Sequence, residues 1–72
     1  MVTFGQRLQQ LRLENKILTK DLANELSITP RALKYYEDDE REPNLKNIRF
    51  ICERFQVSAD WLLGLSDVKE RR

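Results

Sequence analysis

The chain has 72 residues, with 13 Lys/Arg, 12 Asp/Glu and no His, for a net charge of +1, and it contains one cysteine, two glycines and two prolines. This length makes one domain and not two, and so small a domain buries only about 60% of its unfolded surface, which leaves little interior for a protected catalytic cleft. Cys52 has no second cysteine to pair with, and no Ser/Gly-rich or long polar tract interrupts the chain, which excludes a disulfide scaffold and a disordered segment.

Apolar residues recur at helical spacing almost throughout. Phe4, Leu8 and Leu11 predict a first helix from Thr3 to Glu14, with Thr3 as N-cap. Asn15-Lys16 breaks the pattern. Leu22, Ala23 and Leu26 mark a short second helix from Thr19 to Leu26, capped by Thr19 and carrying Asp21 in its positive first turn. Ser27-Ile28 is a tight connection. Thr29-Pro30 opens a third helix that runs to Glu37, with Leu33 and Tyr36 turned inward. Asp38 to Asn44 is a polar loop closed by Pro43. Asn44 caps a fourth helix whose predicted buried stripe is Leu45, Ile48, Ile51, Cys52 and Phe55. Ser58 caps a fifth helix through Leu63, with Gly64 as the residue that ends it. The charged tail, residues 67–72, is expected to fray. No β-strand pattern and no internal repeat competes. The domain is read as residues 1–66 and the tail as 67–72.

Charge is unevenly distributed. Residues 1–36 carry six Lys/Arg and three acids, and residues 37–72 carry seven Lys/Arg and nine acids. A two-sided molecule with a basic N-terminal face is expected. No apolar run approaches the roughly 20 residues needed to span a membrane, and Met1 to Gly5 lacks a secretory pattern, so a reducing cytoplasm is the simplest compartment.

Two short helices joined by a tight turn, as in residues 19–37 (TKDLANELSITPRALKYYE), have the geometry of a helix-turn-helix. Ala23 is small where the helices approach, and Leu22, Leu26, Ile28 and Leu33 supply the buried side. At ~100° per residue, Pro30, Arg31, Lys34 and Tyr35 fall on one face of the third helix, and Ala32, Leu33, Tyr36 and Glu37 on the other. The first face holds no acid. Arginine can grip guanine through two hydrogen bonds, lysine reaches guanine or phosphate, and Tyr35 offers a hydroxyl or a surface for a thymine methyl.

With these segments in order, FGQRLQQLR at 4–12, DLANELSITPRALKYYE at 21–37 and REPNLKNIRFICERFQVSADWLLGLSD at 41–67, the chain resembles the Cro/CI-type helix-turn-helix family of phage and bacterial repressors, often called the Xre family. The resemblance covers residues 3–67 and implies an all-α, five-helix, lambda-repressor-like bundle. It implies base reading by Pro30, Arg31, Lys34 and Tyr35. Phosphate contacts are implied for Arg12, Thr19, Lys20, Thr29, Arg41, Asn44 and Lys46, those at Asn44 and Lys46 through the N-terminus of the fourth helix. Arg12 and Glu37 match a frequent ion pair between the first and third helices. Thr19 stands where the family usually has Gln. The acidic run Asp38-Asp39-Glu40 stands where a glycine and a basic residue are common, and Arg41 is the nearby residue that compensates. ITPRALKYYE is also similar to the recognition segment of MerR-type regulators, but a full amphipathic helix precedes it here and no wing follows.

Cys52 reads as a small core residue. Trp61 reads as a packing residue, or, with Leu65, as a dimer surface if the ring is exposed. With no His, one Cys and no clustered carboxylates, no metal site assembles, no cofactor or small-molecule ligand is expected, and no nucleophile–base pair points to an enzyme. The expected partner is a double-stranded, pseudo-palindromic operator bound by a homodimer, in a bacterial cell and encoded by a phage, a mobile element or the chromosome. The acidic second half motivates a second reading, a protein-interaction module such as an antitoxin or antirepressor on the same fold. The chain reads either as a whole Cro-like protein or as the N-terminal part of a longer repressor.

Overall fold

The computed structural model describes residues 2–71, so the parts of the domain and tail readings that fall on Met1 and Arg72 lie outside it. Five helices follow in order: α1 (Phe4–Glu14), α2 (Thr19–Glu25), α3 (Pro30–Glu37), α4 (Leu45–Phe55) and α5 (Ala59–Leu62). No helix among the described residues is long and apolar enough to cross a membrane.

Four of the helices start on a side-chain cap. Thr3 and Gln6 form a reciprocal capping box on α1, Thr29 accepts from Ala32 N, Asn44 from Asn47 N and Ser58 from Trp61 N. Helix α2 differs. Its N-cap is Leu18, whose extended backbone carbonyl accepts from Asp21 and Leu22, and Thr19 is the first helical residue rather than the cap. The α2–α3 turn closes when Ser27 N donates to Asn24 O and Ile28 N to Ala23 O. This closure needs a left-handed residue just past the helix, and Ser27 adopts it at φ 59°. The same arrangement ends α5, there with Gly64 at φ 81° and Leu65 N donating to Asp60 O.

The core is one cluster fed by all five helices: Leu8 and Leu11, Leu22, Ala23 and Leu26, Leu33, Ile51 and Cys52, then Val57, Trp61 and Leu62. Burial raises the Cys52 thiol pKa, which keeps it protonated and inert. The Arg54–Glu25 pair at 2.8 Å joins α4 to α2 at the surface.

Three expectations change. Leu45 is 66% exposed instead of buried, while Asn47 is buried at 7%. At ~100° per residue Asn47 falls beside Ile51, whereas Leu45 shares the direction of Cys52, which is covered two turns further along while Leu45, the first helical residue, is not. Trp61 is 3% exposed and so offers no dimer surface, whereas Leu65 is 75% exposed. The indole is covered because the Arg7 guanidinium lies 4.4 Å from the ring and the Lys69 ammonium 5.3 Å from it. Finally, the segment 67–71, expected to be loose, makes contacts with the bundle. Ser58 N donates to Lys69 O, Val57 and Glu70 form a single antiparallel bridge, and Lys69 Nζ pairs with Glu14 at 2.6 Å.

Two outcomes are predicted. Left-handed backbone costs a non-glycine residue roughly 1–2 kcal/mol, part of which glycine's greater freedom in the unfolded chain takes back, so Ser27→Gly raises stability by about 0.5–1 kcal/mol in urea unfolding. The hydrogen bond from Lys69, then that from Gln10, lowers the Glu14 pKa below its ordinary value. A lowered folded-state value stabilises above the unfolded carboxylate range, and the stabilisation is lost as pH falls through the folded value. Glu14→Gln therefore destabilises slightly at neutral pH, by about 0.2–1 kcal/mol for so exposed a pair. In acid the variant and the parent converge, as thermal unfolding against pH will show.

Candidate nucleic-acid interface

The outward side of α3 is set by what its inward side must do. Leu33 is fully buried, and Ala32, Tyr36 and Glu37 are half-buried against the bundle. Pro30, Arg31 and Lys34 are exposed, and Tyr35 is half-buried at the edge of their face. Pro30 occupies the first helical position, where its missing N–H costs nothing, and Thr29 closes the end.

Two contacts fix α3 against α1. Arg12 donates from Nε to Glu37 at 2.8 Å and from its second terminal nitrogen at 3.1 Å, with side chains only 14% and 7% exposed. The hydrogen bond to Glu37 raises the Arg12 pKa against the lowering effect of burial, so the guanidinium stays charged. In the first turn of α1, Gly5 touches the end of α3 directly: a Cβ at Gly5 would collide with Glu37 O and lie 2.7 Å from Tyr36 O. Asp39, at φ 60° just past α3, accepts from Gly5 N at 2.9 Å and from the Thr3 hydroxyl at 2.5 Å. Its carboxylate thus sits on the positive end of α1.

The arrangement leaves a groove of about 450 Å³ that brings Arg12, Thr19, Pro30, Arg31 and Lys34 together with Gln9, Glu37 and Asp38. Lys20, Thr29, Tyr35, Arg41, Asn44 and Lys46 lie outside its lining. Tyr35 is instead joined to Arg31 and Arg41: its hydroxyl accepts from Arg31 Nε at 3.1 Å, and Arg41 stands 4.5 Å from its ring. Lys46 lines the exposed flank of α4 with Leu45, Arg49, Phe50 and Glu53. Asn44 caps that helix through its side chain. Lys34 pairs with Asp38 at 3.3 Å in solvent.

Gln9 and Gly5 carry no role in the sequence pattern, and Asp39 carries a different one. Gln9 precedes Arg12 by three positions, one helical neighbour away, and that spacing is its only signal. Asp39 was grouped with acids facing phosphate, whereas it faces α1. Arg7, counted within the basic face, is 7% exposed under Trp61. It falls between Phe4 and Leu11 on the apolar stripe of α1, a position that marks a charged residue as buried.

A model of the helix-turn-helix domain family matches residues 5–68. The chain belongs to that family. It is of the Cro/CI type: the P22 c2 repressor, solved in complex with a synthetic operator, superposes with a TM-score of 0.82 at 27% identity, over 92% of this chain and 100% of the repressor chain. Among curated relatives, the uncharacterized HTH-type transcriptional regulator YobD of Bacillus subtilis is 34% identical over 64 residues, 89% of this chain and 57% of YobD. The HTH-type transcriptional regulator ImmR of the same organism is 30% identical over 70 residues, 97% of this chain and 55% of ImmR. The chain thus spans little more than half the length of either regulator.

In this helix-turn-helix domain the Arg12–Glu37 pair is the contact whose loss the fold will feel most. Removing one partner of a buried ion pair strands the other, at a cost of about 3–5 kcal/mol. Because this pair keeps some solvent exposure, Arg12→Met is expected to cost about 3 kcal/mol in urea unfolding. The double replacement Arg12→Met with Glu37→Leu will recover most of that loss, giving a favourable coupling in a double-mutant cycle.

Proposed function

We propose that this chain is a sequence-specific DNA-binding transcriptional regulator, a repressor, that places α3 in the major groove of its operator. The observation that carries the reading is the face of α3, where Arg31 and Lys34 stand exposed beside Pro30 on a helix led in by the closed α2–α3 turn and fixed to α1 at its C-terminal end. Direct readout needs donors held at a fixed angle to the base edges, and a helix that could rock would lose that register. The similarity to a repressor solved on its operator supports the same reading.

Pro30, Arg31, Lys34 and Tyr35 form the face presented to base edges. Pro30 has no N–H to give and serves by shape or by contact with a methyl group. Thr19, Lys20 and Thr29 flank the groove strand on one side, and Arg41, Asn44 and Lys46 on the other, as phosphate contacts. Arg12 keeps N–H groups beyond those spent on Glu37 and the Ile17 carbonyl, and it opens onto the same groove. The Lys34–Asp38 pair lies in solvent, where such pairs contribute roughly 0–1 kcal/mol, so DNA can take Lys34 from it at little cost.

One recognition helix meets only a few base pairs, too few to single out a site. The protein therefore acts as a homodimer on a pseudo-palindrome, with the two α3 helices about 34 Å apart. Leu65, exposed beside α5, is the described residue we assign to the dimer surface. Binding rather than catalysis is the activity, and its place is the bacterial cytoplasm, on a chromosomal, phage or mobile-element promoter.

Arg31→Ala is expected to cost about 1–3 kcal/mol on the specific operator, to relax preference at one base pair and to leave binding to random duplex nearly unchanged. Gel shifts on both duplexes at two salt concentrations check this. An equal loss on both would reduce Arg31 to a backbone contact. Sedimentation on operator DNA must show two protomers per site.

A further inference from the structure

Tyr35 is shared by two guanidinium groups. Its hydroxyl accepts from Arg31 Nε at 3.1 Å, and its ring centre lies 5.8 Å from the Arg31 guanidinium and 4.5 Å from that of Arg41. Arg31 and Tyr35 meet because they are four residues apart on α3. Arg41 reaches the ring by a different route: the backbone N–H groups of Glu40 and Arg41 both donate to the Tyr35 carbonyl, at 2.9 and 3.3 Å, and this folds the loop back over the end of the helix. The ring is half-buried, while Arg31 and Arg41 are exposed. Its position is therefore set by the fold, and the two arginines borrow their order from it.

This occupancy limits what each side chain can do. The Tyr35 hydroxyl keeps its own O–H to donate, but its oxygen is engaged by Arg31 and its ring is attended by Arg41. An arginine can grip two acceptors side-on, through Nε and one terminal nitrogen, or end-on, through both terminal nitrogens. The bond to Tyr35 takes Nε and leaves the end-on grip. No hydrogen bond or ion pair among the described residues engages the terminal nitrogens of Arg31. In the major groove guanine presents two adjacent acceptors, O6 and N7, whereas adenine pairs an acceptor with an amino donor that would oppose a second N–H.

We propose that Tyr35 is a positioning residue, which presents Arg31 end-on to one guanine in each operator half-site and holds Arg41 for a neighbouring phosphate. The proposal rests on the operator reading above and names the base that reading leaves open. Part of the ordering that binding demands of Arg31 and Arg41 is already met in the free protein, which is the advantage of fixing them on a ring.

The test selects binding sites from a randomised duplex library with the wild-type chain, Arg31→Ala, Tyr35→Phe, Tyr35→Leu and the double variant Arg31→Ala/Tyr35→Phe, with thermal unfolding of each. The wild type is expected to enrich a half-site with an invariant guanine, and Arg31→Ala to lose preference at that pair. Tyr35→Phe keeps the ring and the melting temperature. It is expected to lower the guanine preference at that same pair about fivefold, the worth of one hydrogen bond, and to add nothing in the Arg31→Ala background. Replacing that guanine by 7-deazaguanine removes the difference between wild type and Tyr35→Phe. Tyr35→Leu should further reduce the salt dependence by about one phosphate contact, roughly 0.9 in the logarithmic slope. A half-site without guanine overturns the inference, as does a Tyr35→Phe effect at a different base pair or one undiminished in the Arg31→Ala background. A wild-type chain that enriches no sequence overturns the operator reading itself; a motif indifferent to Tyr35→Phe strikes only this inference.

Discussion

The seam between α1 and α3 governs the rest of the molecule. α3 has eight residues, about two turns, and a helix so short has no persistence of its own in water. Its angle must come from contacts, and they come at two levels of α1. Near the start of α1, Gly5 lies against the last carbonyls of α3 while Asp39 binds Gly5 N and the Thr3 hydroxyl. Near its end, Arg12 grips Glu37 with two hydrogen bonds. Both meet α3 at its C-terminal end, and the α2–α3 turn, closed by the Ser27 and Ile28 N–H groups, positions its start, so that two separated points define its direction. Leu33, fully buried between them, sets the rotation of α3 about its own axis and so decides which residues face out.

The same seam explains how a chain of net charge +1 presents a basic face. The acids at the end of α3 are consecutive, Glu37, Asp38 and Asp39, and as bare charges they would oppose phosphate. Glu37 is taken by Arg12, Asp39 by the N-terminal end of α1, and Asp38 by Lys34. The first two are held in half-buried hydrogen bonds, and only the third is an exposed pair that DNA can replace. Two of the four consecutive acids, Glu37 and Asp39, are thus spent on structure, Glu40 stays exposed beyond the helix, and Arg31 on the outer face of α3 keeps its reach.

Helix periodicity and capping chemistry made most of this architecture legible, because both are local. Thr3, Thr29, Asn44 and Ser58 each satisfy the N–H groups of the turn that follows, and the angular division of residues 30–37 anticipates an exposed Arg31 and Lys34. What was not legible depends on which element covers which face. Periodicity puts Leu45 in line with Cys52, but it does not say that the cover over Cys52 stops short of Leu45. It shows Trp61 to be apolar without showing that Arg7 and Lys69 close over it. The half-burial of Tyr35 comes from a loop returning through backbone hydrogen bonds to its carbonyl, a contact that no side-chain pattern records.

The closing segment bears on how so small a core holds together. A domain of this size leaves much of its apolar surface near solvent, and Trp61 is the largest side chain that its core must cover. Arg7 lies over the ring and Lys69 reaches it from the closing segment, so two long side chains add their cover to that of the core cluster in which Trp61 sits. Lys69 is itself held by Glu14 and by the bridge beside Val57, which ties the last residues to the C-terminal end of α1. Helix α1 therefore meets the recognition helix along one side and carries the tail at its end. Loosening the tail would expose Trp61 and release Lys69 from Glu14, while the Arg12–Glu37 pair lies within the α1–α3 seam. The contacts of the closing segment can accordingly be perturbed without touching the seam, whereas loss of the Arg12–Glu37 pair affects stability and the setting of α3 together.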